Sequence, residues 1–412
     1  MTRPDTARVP AVLVNATMVW ALLATTVPYL AFLGIEISRT RELFTVYLLV
    51  GMATVGTWWK HTSSRVAWVI AVMGAASVIG LITWTGAYNW LQGINYWSEW
   101  LLASAMLMFG VAFARTNWRV WSTIVIAYGT LLALVQLGSL MVGLSSPGGL
   151  NGEPGFYGYR PLAASVALFL VLGFALTIFT DGPFARVRPW VATLLGVSVI
   201  LSQNRSAWVA LLIVLAGCVL ALLRREALRD LWLGVAAPAV FFAVVLLVPL
   251  VSGSSVLPGS DGQTDRALPE SATSVTTSQW RLEMWRSRLE ADRSPVEWLT
   301  GGVLGPTPVK GPGSQVMNPY ISGHNVVVDV LTMLGIIGVG LVLLLWLWGS
   351  LLRPDRLWAL PIFLWGLAGF GMFYNWPAWG WAVLGASLAT TGQRLVPTAA
   401  SSQEGKVVAR SE

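Results

Sequence analysis

Apolar runs separated by short polar segments fill the first half of the chain, at 11–34, 43–59, 66–86, 97–114, 120–143 and 161–179. Each is close to the ~20 residues needed to cross ~30 Å of hydrocarbon, so the pattern predicts six membrane spans. The apolar stretch 190–223 is interrupted by Ser202, Gln203, Asn204, Arg205 and Ser206, which predicts two short spans meeting at a polar elbow. A ninth run covers 231–251, and three more follow a long polar segment, at 326–349, 357–374 and 378–391. The expected architecture is an all-α polytopic membrane protein of about twelve transmembrane helices, with one large loop between helices 9 and 10. In domain terms, 1–251 holds helices 1–9, 252–323 is the loop, 324–391 holds helices 10–12, and 392–412 is a polar, disordered tail.

The first run is too long for the core of a signal peptide and lacks a small-residue cleavage site, so it reads as a retained span. Within the loop, 252–278 is rich in Ser, Thr, Gly and Pro, 279–293 (QWRLEMWRSRLEADR) predicts a short amphipathic helix, and 294–323 is again punctuated by Gly and Pro. Trp280, Met284 and Trp285 suit a rest on the membrane interface, and the same preference accounts for the 23 tryptophans of the chain.

Composition agrees with this reading and narrows the function. Of the 412 residues 55% are hydrophobic and only 11% charged, and the mean hydropathy is +0.67; a soluble domain carries about a quarter charged residues. The one cysteine, Cys218, lies in an apolar run, which excludes an intramolecular disulfide and a thiolate zinc site. The net charge of +7 comes largely from short loops, where the positive-inside rule explains it and no nucleic-acid partner is implied. With the N-terminus in the cytoplasm, inside segments collect most of the 26 basic residues, among them Arg115, Arg119, Arg224, Arg225 and Arg229. Both termini are then cytoplasmic, and the loop 252–323 with His324 is extracytoplasmic.

Candidate chemistry clusters at the loop exit. In SGHNVVVDVLTMLGIIG, His324 and Asn325 are followed by nine residues and then by Gly335 and Gly338, an H-N-x9-G-x-x-G pattern. It puts an imidazole at the membrane surface, on a helix whose two glycines let a neighbouring helix approach. Arg205 is drawn towards hydrocarbon by the short segment before it and then needs an anionic partner, although a snorkelling loop arginine also explains it. Arg281 and Arg288, seven residues apart, share a helix face and can address one ligand, or belong to a solvated helix. Glu99 and Asp329 lie inside apolar runs and read as helix-packing polar groups; Asp329 is about 140° round the helix from His324. His61, beside Lys60, reads as ordinary loop chemistry, and Asp261 with Asp265 in a Gly-rich stretch makes no metal site.

The H-N-x9-G-x-x-G pattern resembles the signature of the O-antigen ligase family. Ser202 to Arg205, S-Q-N-R, is similar to its S-x-x-R motif, and Arg281 to Trp285, R-L-E-M-W, to its R-x-x-x-W element. Arg160 and Pro161 stand where the family usually shows an Asn-containing element, so Arg160 enters only as an extra phosphate contact. The resemblance implies an integral-membrane glycosyltransferase of a bacterial cytoplasmic membrane. It would move a glycan from an undecaprenyl-pyrophosphate donor to a hydroxyl of a lipid, protein or wall-glycan acceptor, with inversion and without metal or cofactor. It also implies His324 as general base and Arg205, Arg281, Arg288 and Arg160 at the donor pyrophosphate. Elementary chemistry agrees: a hydroxyl nucleophile needs a base titrating near neutrality, and an ordinary imidazole at ~6.5 is the one such group on the outside. A polymerase of the same superfamily shares these features. A lipid-linked glycan transporter or flippase is the reading from another class; inverted repeats with broken helices would mark it, and the elbow at Arg205 is the one interruption of that kind.

Overall fold

The computed structural model describes residues 64–87, 90–141, 154–155, 158–159, 164–180, 184–202, 204–224, 277–291, 293–305, 309–310, 316–317, 325–351 and 358–389. The spans expected at 11–34, 43–59 and 231–251, the tail, and most of the loop's first part lie outside the described residues, as do His61, Asp261 and Asp265. Ten α-helices are described: α1 (Ser64–Ala87), α2 (Trp90–Met141), α3 (Ala164–Phe179), α4 (Arg188–Leu201), α5 (Arg205–Arg224), α6 (Thr277–Leu289), α7 (Pro295–Thr300), α8 (Val326–Ser350), α9 (Ala359–Gly371) and α10 (Ala378–Ala389). Two antiparallel ladders of two residues per strand, β1 (Pro154–Gly155) with β2 (Gly158–Tyr159) and β3 (Val309–Lys310) with β4 (Val316–Met317), are the strands among the described residues.

Two expectations about spans need correction. The runs 97–114 and 120–143 are expected to be separate spans joined by a cytoplasmic turn at Arg115 and Arg119; residues 97–114 and 120–141 lie instead on one uninterrupted 52-residue helix, α2. No proline or glycine falls between Ala114 and Arg119 to stop it, and polar residues alone do not end a helix already propagating. At about 1.5 Å per residue α2 is roughly 78 Å long, well beyond the hydrocarbon thickness, so only part of it can be a span. The last two expected spans also shrink, to 13 residues in α9 and 12 in α10. At about 18–20 Å, neither crosses hydrocarbon unaided. Three described helical segments are long and apolar enough to cross: Val66–Trp84, Val120–Gly138 and Val326–Ser350.

Burial explains why the short helices persist. Every residue of α3 from Val166 to Phe179 is buried, as is every residue of α10 from Trp379 to Ala389. Helices apolar all round are buried in protein rather than displayed. Close approach is made by small residues: a β-carbon on Gly110 would strike the carbonyl of Ala382, and one on Gly385 would strike that of Leu107, so α2 and α10 cross backbone against backbone. Between α5 and α9, Gly217 faces Ile362, Gly366 faces Ala210 and Val214, and Gly369 faces Val209 and Ile213. That descending order makes the two helices antiparallel.

Tryptophan also behaves differently from the interfacial expectation. Trp84, Trp97, Trp121, Trp208, Trp346, Trp376, Trp379 and Trp381 are all buried. Several indole N–H groups donate to backbone carbonyls, as Trp346 does to Leu364 at 2.9 Å and Trp376 to Leu367 at 3.0 Å. A buried indole pairs its one donor in this way because an unpaired one carries a desolvation penalty.

Candidate active site

The polar elbow lies where the sequence places it, between α4 and α5, and most of its polar groups serve the backbone. Ser202 Oγ donates to the Val199 carbonyl at 2.6 Å, and Trp208 Nε1 donates to the carbonyls of Val199 at 3.2 Å and Ile200 at 3.0 Å. These carbonyls lie in the last turn of α4, where intrahelical donors run out. Asn204 Oδ1 accepts from the Ala207 amide at 3.2 Å and from Ser206 Oγ at 2.6 Å, which caps the start of α5. Arg205 opens α5 and is exposed, not partly buried as expected. Continuing the antiparallel order of α5 and α9 by one turn places the start of α5 beside the turn 372–374 that follows α9.

The start of α8 is fastened to the same turn. Asn325 is the N-cap: its Oδ1 accepts from the amides of Val327 at 2.9 Å and Val328 at 3.2 Å, while its Nδ2 donates to the Met372 carbonyl at 3.2 Å. The asparagine of the H-N pair is therefore spent on capping and on tying α8 to the end of α9. His324, the residue before it, lies outside the described residues, as does Arg160.

Both glycines of the motif serve one kink. Gly335 has φ 68° and ψ −167°, which breaks the helical path within α8 and is a conformation essentially confined to glycine. A β-carbon there would strike the carbonyl of Leu299, and one on Gly301 would lie 2.5 Å from the Gly335 amide nitrogen. A β-carbon on Gly338 would strike the β-carbon of Leu334 in the preceding turn. The expectation that a neighbouring helix approaches these glycines is thus corrected. What approaches Gly335 is the loop turn Leu299–Gly301, and Gly338 makes room for a side chain of its own helix.

That turn is a folded part of the loop. Ser294 caps α7 in a reciprocal capping box: its Oγ accepts from the Glu297 amide at 3.3 Å, and Glu297 Oε2 accepts from the Ser294 amide at 2.7 Å. Pro295 occupies the first turn, and Gly301, with φ 61°, ends the helix and leads into a 3-10 turn, Gly301–Leu304. Gly301, Gly302 and Val303 are buried. Trp84 Nε1 donates to the Gly302 carbonyl at 2.5 Å, and Thr83 Oγ1 donates to the Val303 carbonyl at 2.8 Å, so α1 holds the turn from the other side.

A second attachment is ionic. α6 starts two residues before the expected helix and ends four before it, at Leu289. Arg288 Nη1 donates to Asp329 Oδ1 at 2.7 Å, with the two side chains 2% and 5% exposed. Arg288, expected at the donor, is thereby committed to a carboxylate one turn into α8, and Asp329, expected to pack helices, does so by pairing with the loop. Glu99, on α2, is near enough to feel the charge of Asp329. Arg281 lies on α6, two turns before Arg288 on the same face.

Arg293 carries no function in the sequence reading, yet it is buried. Its Nη2 donates to the Arg288 carbonyl at 2.9 Å and its guanidinium lies 5.1 Å from the Trp298 ring centroid, while Nε and Nη1 have no hydrogen-bond partner. Burial, reinforced by the charge of Arg288 and opposed by that of Glu297, lowers its pKa from the ordinary arginine value. The signal for this region was S-P-V-E at 294–297, a capping box with proline at the first helical position.

Residues 190–343 match the family model described as O-antigen ligase. Over this stretch, a little more than a third of the chain, the sequence is similar to the O-antigen ligase family. The matched stretch begins in α4 and ends in α8, and so takes in the elbow with Arg205, the loop helix with Arg281 and Arg288, and the complete H-N-x9-G-x-x-G motif. Arg160 falls before it. No curated protein and no solved structure matches the chain. The match supports a membrane enzyme of the O-antigen ligase and polymerase group, a group whose partners are in general lipid-linked glycans and their acceptors.

Proposed function

We propose that the protein is an O-antigen ligase-like glycosyltransferase at the outer face of a bacterial cytoplasmic membrane, with an undecaprenyl-pyrophosphate-linked glycan as donor. The observation that carries this reading is the bond from Asn325, next to His324, to Met372 in the turn after α9, the end of α9 towards which the antiparallel α5 starts with Arg205.

In the proposed reaction, the acceptor hydroxyl gives its proton to the His324 imidazole while its oxygen bonds to the anomeric carbon of the donor. The bond from that carbon to the pyrophosphate oxygen breaks, the electron pair leaves with undecaprenyl pyrophosphate, and the configuration inverts. Arg205 and Arg281 meet the charge developing on the leaving group, with Arg160 as an extra contact, so the step needs no metal or cofactor. Arg288 belongs to the same face as Arg281, with its charge shared with Asp329.

The product decides. Purified protein receives a single-repeat polyprenyl-pyrophosphate glycan, first alone and then with a separate lipid, protein or wall-glycan acceptor. Transfer only after addition of the acceptor, unchanged by EDTA, is the expected result. A ladder of longer chains on the same carrier means a polymerase, and movement of labelled lipid across a liposome with no new glycosidic bond means a transporter or flippase.

A further inference from the structure

We propose that the buried ion pair between Arg288 and Asp329 is a positioning clasp that holds α6, the helix carrying Arg281, on the start of α8. The proposal rests on the reading above, that Arg281 and the residue preceding α8 serve one reaction. It assigns Arg288 as a positioning residue, with its guanidinium directed to a carboxylate of the fold.

Three observations point this way. First, α6 docks by a single stripe: Met284 and Arg288, four residues apart, are 0% and 2% exposed, while Leu282 and Leu289 are exposed. Arg281 stands three residues before Met284, at a position on the same helix face. Second, the stretch from 252 to 276 before α6 is rich in Ser, Thr, Gly and Pro and has little apolar area with which to place the helix, so its position depends on the contacts of α6 itself, with α8 through this stripe and with β3. Third, a buried ion pair is a poor source of stability and a good source of register, because both charges must find one another in one geometry. Arg286 on the same helix shows the contrast: exposed, it pairs with Glu290, four residues on and just past the end of α6, and ties the helix to no other element.

The clasp defines a ruler. Arg281 lies about 10.5 Å before Arg288 along α6, and His324 precedes Asp329 by five residues. The Arg293 guanidinium, bonded to the Arg288 carbonyl and set against the Trp298 ring, fastens the end of α6 to α7. α7 in turn leads into the turn that meets the kink at Gly335. The loop helix is thus attached to α8 at two heights, ionically at Asp329 and by backbone contact at Gly335.

The test reads position and turnover separately. In the full-length Cys218→Ser protein, spin labels are placed on cysteines introduced at Leu289 and Val327, both exposed, and their distance distribution is measured. A narrow distribution that broadens in Asp329→Asn and in Arg288→Met is expected, with turnover falling about 10²-fold in each, the scale of a misplacement near 1 Å. The exchange Arg288→Asp with Asp329→Arg is expected to recover at least tenfold over either single variant. An unchanged distribution in Asp329→Asn overturns the clasp. So does a lower donor KM with kcat kept in Asp329→Asn, since that is what an arginine freed to meet the donor would give. If the exchanged protein does not fold, Asp329→Asn alone decides by these two readouts. Because the distance needs no turnover, absence of any glycosidic product from the parent protein would sink the enzymatic reading without touching this result.

Discussion

The carbonyl of Leu299 occupies the place where a β-carbon on Gly335 would stand. A loop backbone and a membrane-helix backbone therefore meet with no side chain between them. The helix accommodates the contact with a positive φ at Gly335 and with space at Gly338 for Leu334. The spacing of three between the glycines follows from that kink: one residue adopts the conformation, and the next turn receives the side chain it displaces.

Gly335→Ala is expected to destabilise the protein by at least about 1–3 kcal/mol from the backbone conformation alone, with the Leu299 collision adding to it. It should also lower transfer, because the loop cannot seat. Gly340→Ala is the control: a β-carbon there meets nothing within 4 Å, and the substitution should be neutral or slightly stabilising. Thermal melts in detergent with the transfer assay check both, and equal melting temperatures for the two variants would refute the account of the kink.

Asp329→Ala leaves Arg288 buried and without its carboxylate, and a loss of about 3–5 kcal/mol is expected for breaking such a pair from one side. Replacing both partners with apolar residues, Arg288→Met with Asp329→Leu, should recover most of it, because neither charge then remains buried. Melting temperatures of Arg288→Met, Asp329→Leu and the double variant form the cycle. Strict additivity would show that the pair is not coupled.

Much of the frame is legible in the sequence because hydrophobic runs report burial in either lipid or protein. That same property hides the difference between the two. Residues 359–371 and 378–389 are apolar enough to read as spans, yet their partners are other helices, approached through Gly366 and Gly385, and no hydropathy pattern records that. Likewise Arg115 and Arg119 read as a loop by charge, although nothing in A-R-T-N-W-R ends a helix. At the site, Asn325 was legible as part of a motif but not as the cap of α8, although its residue type is one that caps. The pairing of Arg288 with Asp329 was not legible, because the two lie 41 positions apart and only the tertiary fold brings them together.

At the elbow, two adjacent residues should separate in their effects. Asn204→Ala removes the cap of α5 and should cost about 1 kcal/mol of stability. Arg205→Ala, at an exposed position, should leave the stability within about 0.5 kcal/mol of the parent and impair donor use, seen as a raised KM or a lowered kcat. A stable Arg205→Ala protein with unchanged kinetics would remove this arginine from the donor site.

His324 precedes the cap of α8, and the capping itself is done by Asn325. A helix-stabilising role for the histidine is therefore separable from a chemical one. His324→Ala should keep the parent melting temperature and lose about 10²-fold or more in transfer, the usual contribution of a positioned base. The pH profile adds a sign. A general base works when deprotonated, so kcat/KM should be full above the titration of an ordinary imidazole, ~6.5, and fall about tenfold per unit below it. In His324→Ala that acid limb should disappear from the residual rate. An acid limb that persists in the alanine variant would assign the titration to another group, and full transfer by a stable His324→Ala protein would exclude the imidazole as the base.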